Sequence, residues 1–105
     1  MRINESPLLK QLKALASPVR LAILDGLKQP IENFPAQVDG DPVTDGICAD
    51  NIREWLALAP ATTSRHLTLL TEAGLLIATR KRGWTFYRRD EEALKRLVTN
   101  LSHDI

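Results

Sequence analysis

Two short helical segments, separated by a tight joint and followed by a β-prone stretch, constrain the fold of this chain most strongly. Apolar residues recur at helical spacing from Ile47 to a helix end near Ala57. Pro60 then suits the first turn of a second helix, whose periodicity continues to Gly74. Two short helices with so short a connection predict a helix-turn-helix.

A β-hairpin is predicted directly after this pair of helices. Residues 75–80 and 85–88 are β-prone runs on either side of a turn, in which Gly83 can supply a positive backbone torsion. Trp84, Phe86 and Tyr87 could stack on bases. We expect two of them to pack the hairpin against the core instead, because base stacking is typical of single-strand binding.

Further helices flank these elements. Ser6 and Pro7 predict the start of a helix that ends near Ala16, and Ser17-Pro18 repeats the same start signal. Acidic residues at 90–92 suit the beginning of a last amphipathic helix. The predicted fold is mainly α with a two-stranded β wing, a winged helix-turn-helix in the order α-α-α-α-β-β-α.

Residues 28–46 interrupt the helical pattern. This stretch is rich in proline, glycine and aspartate and has no basic residue after Lys28. It predicts a long acidic loop, which is either a solvated insertion or a functional segment.

Length and composition indicate one soluble globular domain covering residues 1–105. Apolar residues make up 44% of the chain, and no stretch approaches the roughly 20 apolar residues of a membrane span. No apolar run of a signal peptide follows Met1–Glu5, so we expect a cytoplasmic protein without a membrane partner. No Ser/His/Asp set, phosphate-binding glycine loop or paired carboxylates indicate an enzyme, and no cofactor is expected.

Positive charge is concentrated in the second half of the chain. Residues 1–50 carry five basic and seven acidic side chains, whereas residues 51–105 carry nine and six. Much of the excess lies in Arg80-Lys81-Arg82 and Arg88-Arg89. Such a patch can attract a phosphate backbone or can simply be a solvated face.

Three segments in this order resemble the ArsR/SmtB family of bacterial repressors. They are residues 12–24 (LKALASPVRLAIL), residues 62–75 (TTSRHLTLLTEAGL) and residues 83–88 (GWTFYR). The resemblance extends over nearly the whole chain except the acidic loop. It implies a winged helix-turn-helix that binds double-stranded DNA and represses transcription until a signal releases it.

The second helix of a helix-turn-helix enters the major groove. Helical spacing turns Thr63, Leu67 and Leu70 inward. The residues expected to face the bases are Ala61, Thr62, Ser64, Arg65 and Thr68. Arg65 is the best candidate for specificity because a guanidinium can donate two hydrogen bonds to guanine, although it could contact a phosphate only.

The wing is expected to contact the DNA backbone. The residues that would do so are Arg80, Lys81, Arg82 and Arg88. The competing hypothesis is a winged-helix protein-interaction module that does not bind DNA.

Apolar stripes on the first and last helices predict a twofold homodimer on an inverted-repeat operator. The interface candidates are Leu8, Leu12, Leu94, Leu97, Val98 and Leu101. The same residues could instead close the core of the monomer.

Cys48 is the only cysteine, so no internal disulfide can form. In the resembled family, a metal site has two cysteines one residue apart, and here the second position is Asp50. This departure, and a last helix without the paired acids and histidines of the family's other metal site, predict no bound metal. Cys48 and Asp50 remain candidate sensor residues, and the effector could be a small molecule, an oxidant or a metal, with Cys48 otherwise buried and inert.

Overall fold

The computed structural model describes residues 6–105. Met1–Glu5, from which we predicted that no signal peptide is present, lies outside the described residues. The elements in chain order are α1 (Pro7–Leu15), α2 (Pro18–Leu27), α3 (Pro30–Asn33), β1 (Ile47–Cys48), α4 (Ala49–Leu56), α5 (Pro60–Glu72), β2 (Leu76–Lys81), β3 (Trp84–Arg89) and α6 (Glu91–Asp104). The three strands form an antiparallel sheet in the order β1-β3-β2. The predicted winged helix-turn-helix is therefore confirmed, with one short helix and one short strand in addition.

Side-chain caps begin three of the helices. The hydroxyl oxygen of Ser6 accepts a hydrogen bond from the backbone N–H of Leu9 at 3.2 Å, and Ser17 caps α2 in the same way. The Asp90 carboxylate accepts from the N–H of Ala93 at 3.0 Å. Each cap satisfies a backbone donor that the first turn of a helix leaves unpaired.

Helices α4 and α5 meet at a tight turn. Ala57 ends α4 in the left-handed conformation with a φ of 55°, and α5 begins three residues later at Pro60. The inward side of this pair joins the core, where Ile52, Leu67 and Leu70 are fully buried. The core therefore fixes which side of α5 remains at the surface.

The hairpin closes through a two-residue turn. Arg82 and Gly83 both have positive φ, 54° and 82°, as a type I′ hairpin turn requires. Strand β1 adds a third strand to the predicted two, because Ile47 pairs with Tyr87 and Cys48 pairs with Phe86. The helical pattern that begins at Ile47 does not predict this strand, because two residues are too few to show a strand's alternation.

The two faces of the sheet have different neighbours. Alternation along the strands places Ile47, Leu76 and Tyr87 on the face that packs with the helical core. Cys48 and Phe86 lie on the opposite face. Phe86 is nevertheless only 1% exposed, because residues 34–46 cover that face.

The predicted acidic loop is thus an ordered layer, which we call the covering segment (residues 34–46). Phe34 is buried and its ring lies 5.3 Å from that of Trp55. The amide of Gln37 donates to the carbonyls of Gly40 and Gly46 and accepts from the N–H of Cys48. Gly40 lies so close to the Phe86 ring that an added Cβ would overlap it. The contacts that order this segment are long-range, which is why local sequence patterns predicted a loop.

No helix within residues 6–105 is long and apolar enough to span a membrane.

Candidate nucleic-acid interface

Helix α5 presents one buried and one open side. Thr63, Leu67 and Leu70 are buried, as predicted from their spacing. The five residues that we expected to face DNA all retain solvent access: Ala61, Ser64, Arg65 and Thr68 are exposed and Thr62 is half-buried. The hydroxyl of Thr63 donates to the carbonyl of Ala59 at 3.0 Å, so this buried polar group has a partner within its own helix.

Arg65 is the only guanidinium on the open side of α5. Within residues 6–105 its side chain makes neither an ion pair nor a hydrogen bond. An exposed, unpaired guanidinium costs no internal interaction when it binds a base edge or a phosphate.

Arg20 connects α5 to the first two helices. Its Nε donates to the carbonyl of Ala14 at 2.6 Å, and its Nη1 lies 3.0 Å from Nδ1 of His66. Burial lowers the pKa of His66, and the positive charges of Arg20 and Arg65 lower it further. His66 is therefore held neutral with Nδ1 accepting from Arg20. The contact joins residues that are 46 positions apart, so no local sequence pattern indicates it.

The hairpin tip is cationic, although one of its charges is shared with the covering segment. Arg80, Lys81 and Arg82 are exposed at the end of the hairpin. Nζ of Lys81 lies 3.2 Å from Oδ2 of Asp45. The backbone N–H of Asp41 and then Lys81 hold the pKa of Asp45 below its usual range. Arg80 and Arg82 have no such ion pair within the described part of the chain.

The structure does not group Arg88 with these tip residues. It pairs with Ile77 near the end of the hairpin away from the turn and is half-buried on the sheet face that residues 34–46 cover.

The six predicted interface residues fall into two groups. Leu97 is 4% exposed and belongs to the monomer core, against which Leu8 and Leu94 also pack. Val98 is 67% exposed and Leu101 is 37% exposed, and Leu12 is half-buried. Helices α1 and α6, which carry these exposed and half-buried residues, contact each other.

The candidate sensor residues lie at the start of α4. Cys48 is 6% exposed and precedes the helix, while Asp50 is exposed on its first turn, 3.9 Å from Nε of Arg53. A cavity of about 270 Å³ opens beside Cys48, with Asp39 and Glu54 among its lining residues. No group of three or more His, Cys, Asp and Glu side chains in residues 6–105 could hold a metal ion.

Helices α4 and α5 pack their inner sides into the core, the outer side of α5 is exposed, and a cationic hairpin follows. These features define a winged helix-turn-helix protein. The sequence is 40% identical over 93 residues to the uncharacterized HTH-type transcriptional regulator YbzH of Bacillus subtilis (strain 168), a match that spans 89% of this chain and 93% of that protein. No family model matches the chain.

Solved structures show the same fold. An ArsR family transcriptional regulator superposes with a TM-score of 0.70 at 15% identity, covering 99% of this chain and 92% of that one. NolR from Sinorhizobium fredii gives 0.61 at 19% identity, covering 98% and 95%. The homodimeric winged helix-turn-helix DNA-binding domain of a possible ArsR-family regulator from Mycobacterium bovis gives 0.65 at 26% identity, covering 93% and 79%. The chain belongs to the ArsR family of winged helix-turn-helix transcriptional regulators, which confirms the resemblance. DNA binding is the activity that membership of this family implies.

Proposed function

We propose that this protein is a sequence-specific repressor that binds double-stranded DNA as a homodimer and leaves it in response to a signal. The observation that carries the proposal is the unpartnered Arg65 on the open side of α5, in a chain whose hairpin tip is also cationic. A small dimer represses by occupying its operator, which excludes other proteins from that DNA. Since its proposed partner is DNA, we expect it to act in the cytoplasm.

The two parts of the surface contribute differently. In the proposed complex α5 lies in the major groove, and Arg65 donates to a guanine while neighbouring hydroxyls contact bases or phosphates. The side chains beside it are Ala61, Thr62, Ser64 and Thr68. Arg80 and Arg82 reach the phosphates or an adjacent minor groove, which adds affinity more than sequence choice.

The test measures binding to fragments of the source genome at two or more salt concentrations. The fragment that the wild type retains is then used with Arg65→Ala, which we expect to lose about 1–3 kcal/mol of discrimination against a changed base pair. Arg82→Ala should weaken binding to all sequences and reduce the salt slope by roughly 0.9. Arg96→Ala, at an exposed arginine on the side of α6 away from Val98, is the matched control and should change neither.

The competing hypothesis, an interaction module that does not bind DNA, predicts no retained fragment at low salt. If Arg65→Ala weakened binding to every sequence by the same factor and left discrimination against a changed base pair intact, Arg65 would be assigned to phosphate contact alone. Repression is tested separately with a reporter gene placed behind the retained fragment, whose expression should fall when the protein is produced.

We also propose that the exposed surface of α1 and α6 forms the dimer interface. Its most exposed apolar side chain is Val98, and the Mycobacterium bovis domain of the same fold is homodimeric. Val98→Glu places a charge in this surface and should convert dimer to monomer in sedimentation equilibrium. Val38→Glu makes the same change at a side chain that is 95% exposed on the covering segment, and should leave the dimer intact.

A further inference from the structure

A second cavity, of about 260 Å³, lies between the covering segment and the sheet. Its apolar walls come from the end of α2, from α3 and from the covering segment, and they include Leu27, Pro30, Pro42 and Val43. The volume is slightly below the roughly 300–1,000 Å³ of sites for drug-sized ligands, so the cavity suits a compact molecule.

The polar side of this cavity is cationic. Arg88 lines it, and its Nε is buried without a hydrogen-bond partner. The Nε of neighbouring Arg89 is also buried without a hydrogen bond, but Arg89 has an anionic neighbour. Its Nε lies 3.0 Å from Oε2 of Glu91, and its Nη1 and Nη2 donate to the carbonyl of Leu24 and to Oε1 of Glu91. No carboxylate within the described residues pairs with Arg88 or with Lys28, the second cation of the lining, and the carboxylate of Glu91 is occupied by Arg89.

A half-buried guanidinium without an anionic partner is energetically unfavourable, because burial removes water that would otherwise solvate the charge. An anion in the adjacent cavity would supply the missing partner, and a carboxylate matches the planar guanidinium with two parallel hydrogen bonds. The apolar walls favour a ligand that carries hydrocarbon as well as charge.

We propose that this cavity binds a compact organic carboxylate, with Arg88 and Lys28 holding the carboxylate group and the proline-lined wall holding the apolar body. We further propose that the release signal acts through this site, a step that rests on the proposed function above.

The covering segment connects the cavity to the hairpin tip. Asp41 accepts hydrogen bonds from the N–H groups of Val43 and Thr44 at 2.8 and 2.9 Å, which makes residues 41–46 a tight turn. The same turn carries Asp45, which pairs with Lys81 on the hairpin. A ligand that displaces Pro42 and Val43 therefore also changes the position of a hairpin cation.

The experiment titrates the ¹⁵N-labelled protein with benzoate and with benzamide, a neutral molecule of nearly the same shape. Benzoate should shift the amide signals of Lys28, Val43 and Arg88, and benzamide should bind at least ten-fold more weakly. Arg88→Gln and Lys28→Gln should each weaken benzoate binding, Arg88→Gln by about ten-fold or more. Lys28 is exposed, so its variant keeps the test valid if Arg88→Gln does not fold. Arg96→Gln is the matched control.

Two results would overturn the binding site: no benzoate shifts at millimolar concentration, or benzoate binding that is equal in wild type, Arg88→Gln and Lys28→Gln. The regulatory step is measured by adding benzoate to the DNA complex, where wild-type affinity should fall and that of Arg88→Gln should not. Benzoate binding without an effect on DNA affinity would refute the regulatory step alone. A protein that binds benzoate but no DNA would refute the proposed function and leave the site established.

Discussion

The conformation of helix α5 can be predicted from local sequence, whereas that of the covering segment depends on contacts with distant residues. The helix is recognisable from apolar residues at regular spacing, and its buried side is the one that this spacing predicts. The covering segment has no such period, yet it buries Phe34 and closes over Phe86. Local pattern was therefore enough to predict the exposed side of α5, whereas the covering segment depends on contacts between distant residues.

The comparison also separates two roles of charge. On α5 the exposed Arg65 has no partner within residues 6–105, which suits a side chain that binds another molecule. In the covering segment Asp41 and Asp45 are occupied by backbone N–H groups and by Lys81. Two acidic residues of this segment therefore stabilise its own turn by accepting backbone hydrogen bonds.

The largest effect is expected when the contact between the covering segment and the sheet is removed. Phe86→Ala should lower the free energy of unfolding by about 3–5 kcal/mol, because the ring is 1% exposed and truncation leaves a cavity. Trp84→Ala, on the same strand and sheet face but 41% exposed, should cost about 1 kcal/mol or less. Urea unfolding followed by circular dichroism measures both. Equal losses would mean that the covering segment does not shield Phe86.

This difference marks what the sequence could and could not predict. Helix starts at Ser6, Ser17 and Asp90 follow from local capping chemistry, so they were predictable. Strand β1 is only two residues long and forms because β3 lies beside it, which no short window of sequence contains. Gln37 gave no signal at all, since an amide that bridges Gly40, Gly46 and Cys48 is recognisable only after the chain has folded.

The candidate site divides in the same way. The open side of α5 followed from helical periodicity and the cationic hairpin tip from composition. The positions of Arg88 and Leu97 could not be predicted from either periodicity or composition. Each depends on which face of its element is covered, by residues 34–46 in the first case and by the monomer core in the second.

A smaller effect is expected from releasing the hairpin cation that the covering segment holds. Asp45→Asn removes the charge that pairs with Lys81 but retains an oxygen that can accept from the N–H of Asp41. Lys81 then becomes available to a phosphate, so the dependence of operator affinity on salt should steepen by at most about 0.9 in log-log slope. Asp39→Asn changes the net charge equally without a contact to Lys81, and serves as the control. Identical slopes for the two variants would show that Lys81 does not reach DNA.

The smallest effect concerns His66 on the inner edge of α5. Its pKa in the folded protein is lowered from 6.5, first by burial and then by the charges of Arg20 and Arg65. The unfolded chain therefore binds this proton at a higher pH than the folded protein does. The stabilising contribution of neutral His66 is fully present above pH 6.5 and is lost as the pH falls from there through the folded pKa.

Glutamine at this position cannot titrate and can still accept a hydrogen bond from Arg20. The melting temperature of His66→Gln should consequently fall less than that of the wild type between about pH 7.5 and about pH 5.5, when both are measured by calorimetry. His103→Gln, an exposed histidine near the end of α6, should retain the wild-type dependence. If the melting temperatures of His66→Gln and the wild type fell in parallel, the acid sensitivity would have to come from groups outside the Arg20–His66 contact. Protonation of His66 would then not destabilise the fold.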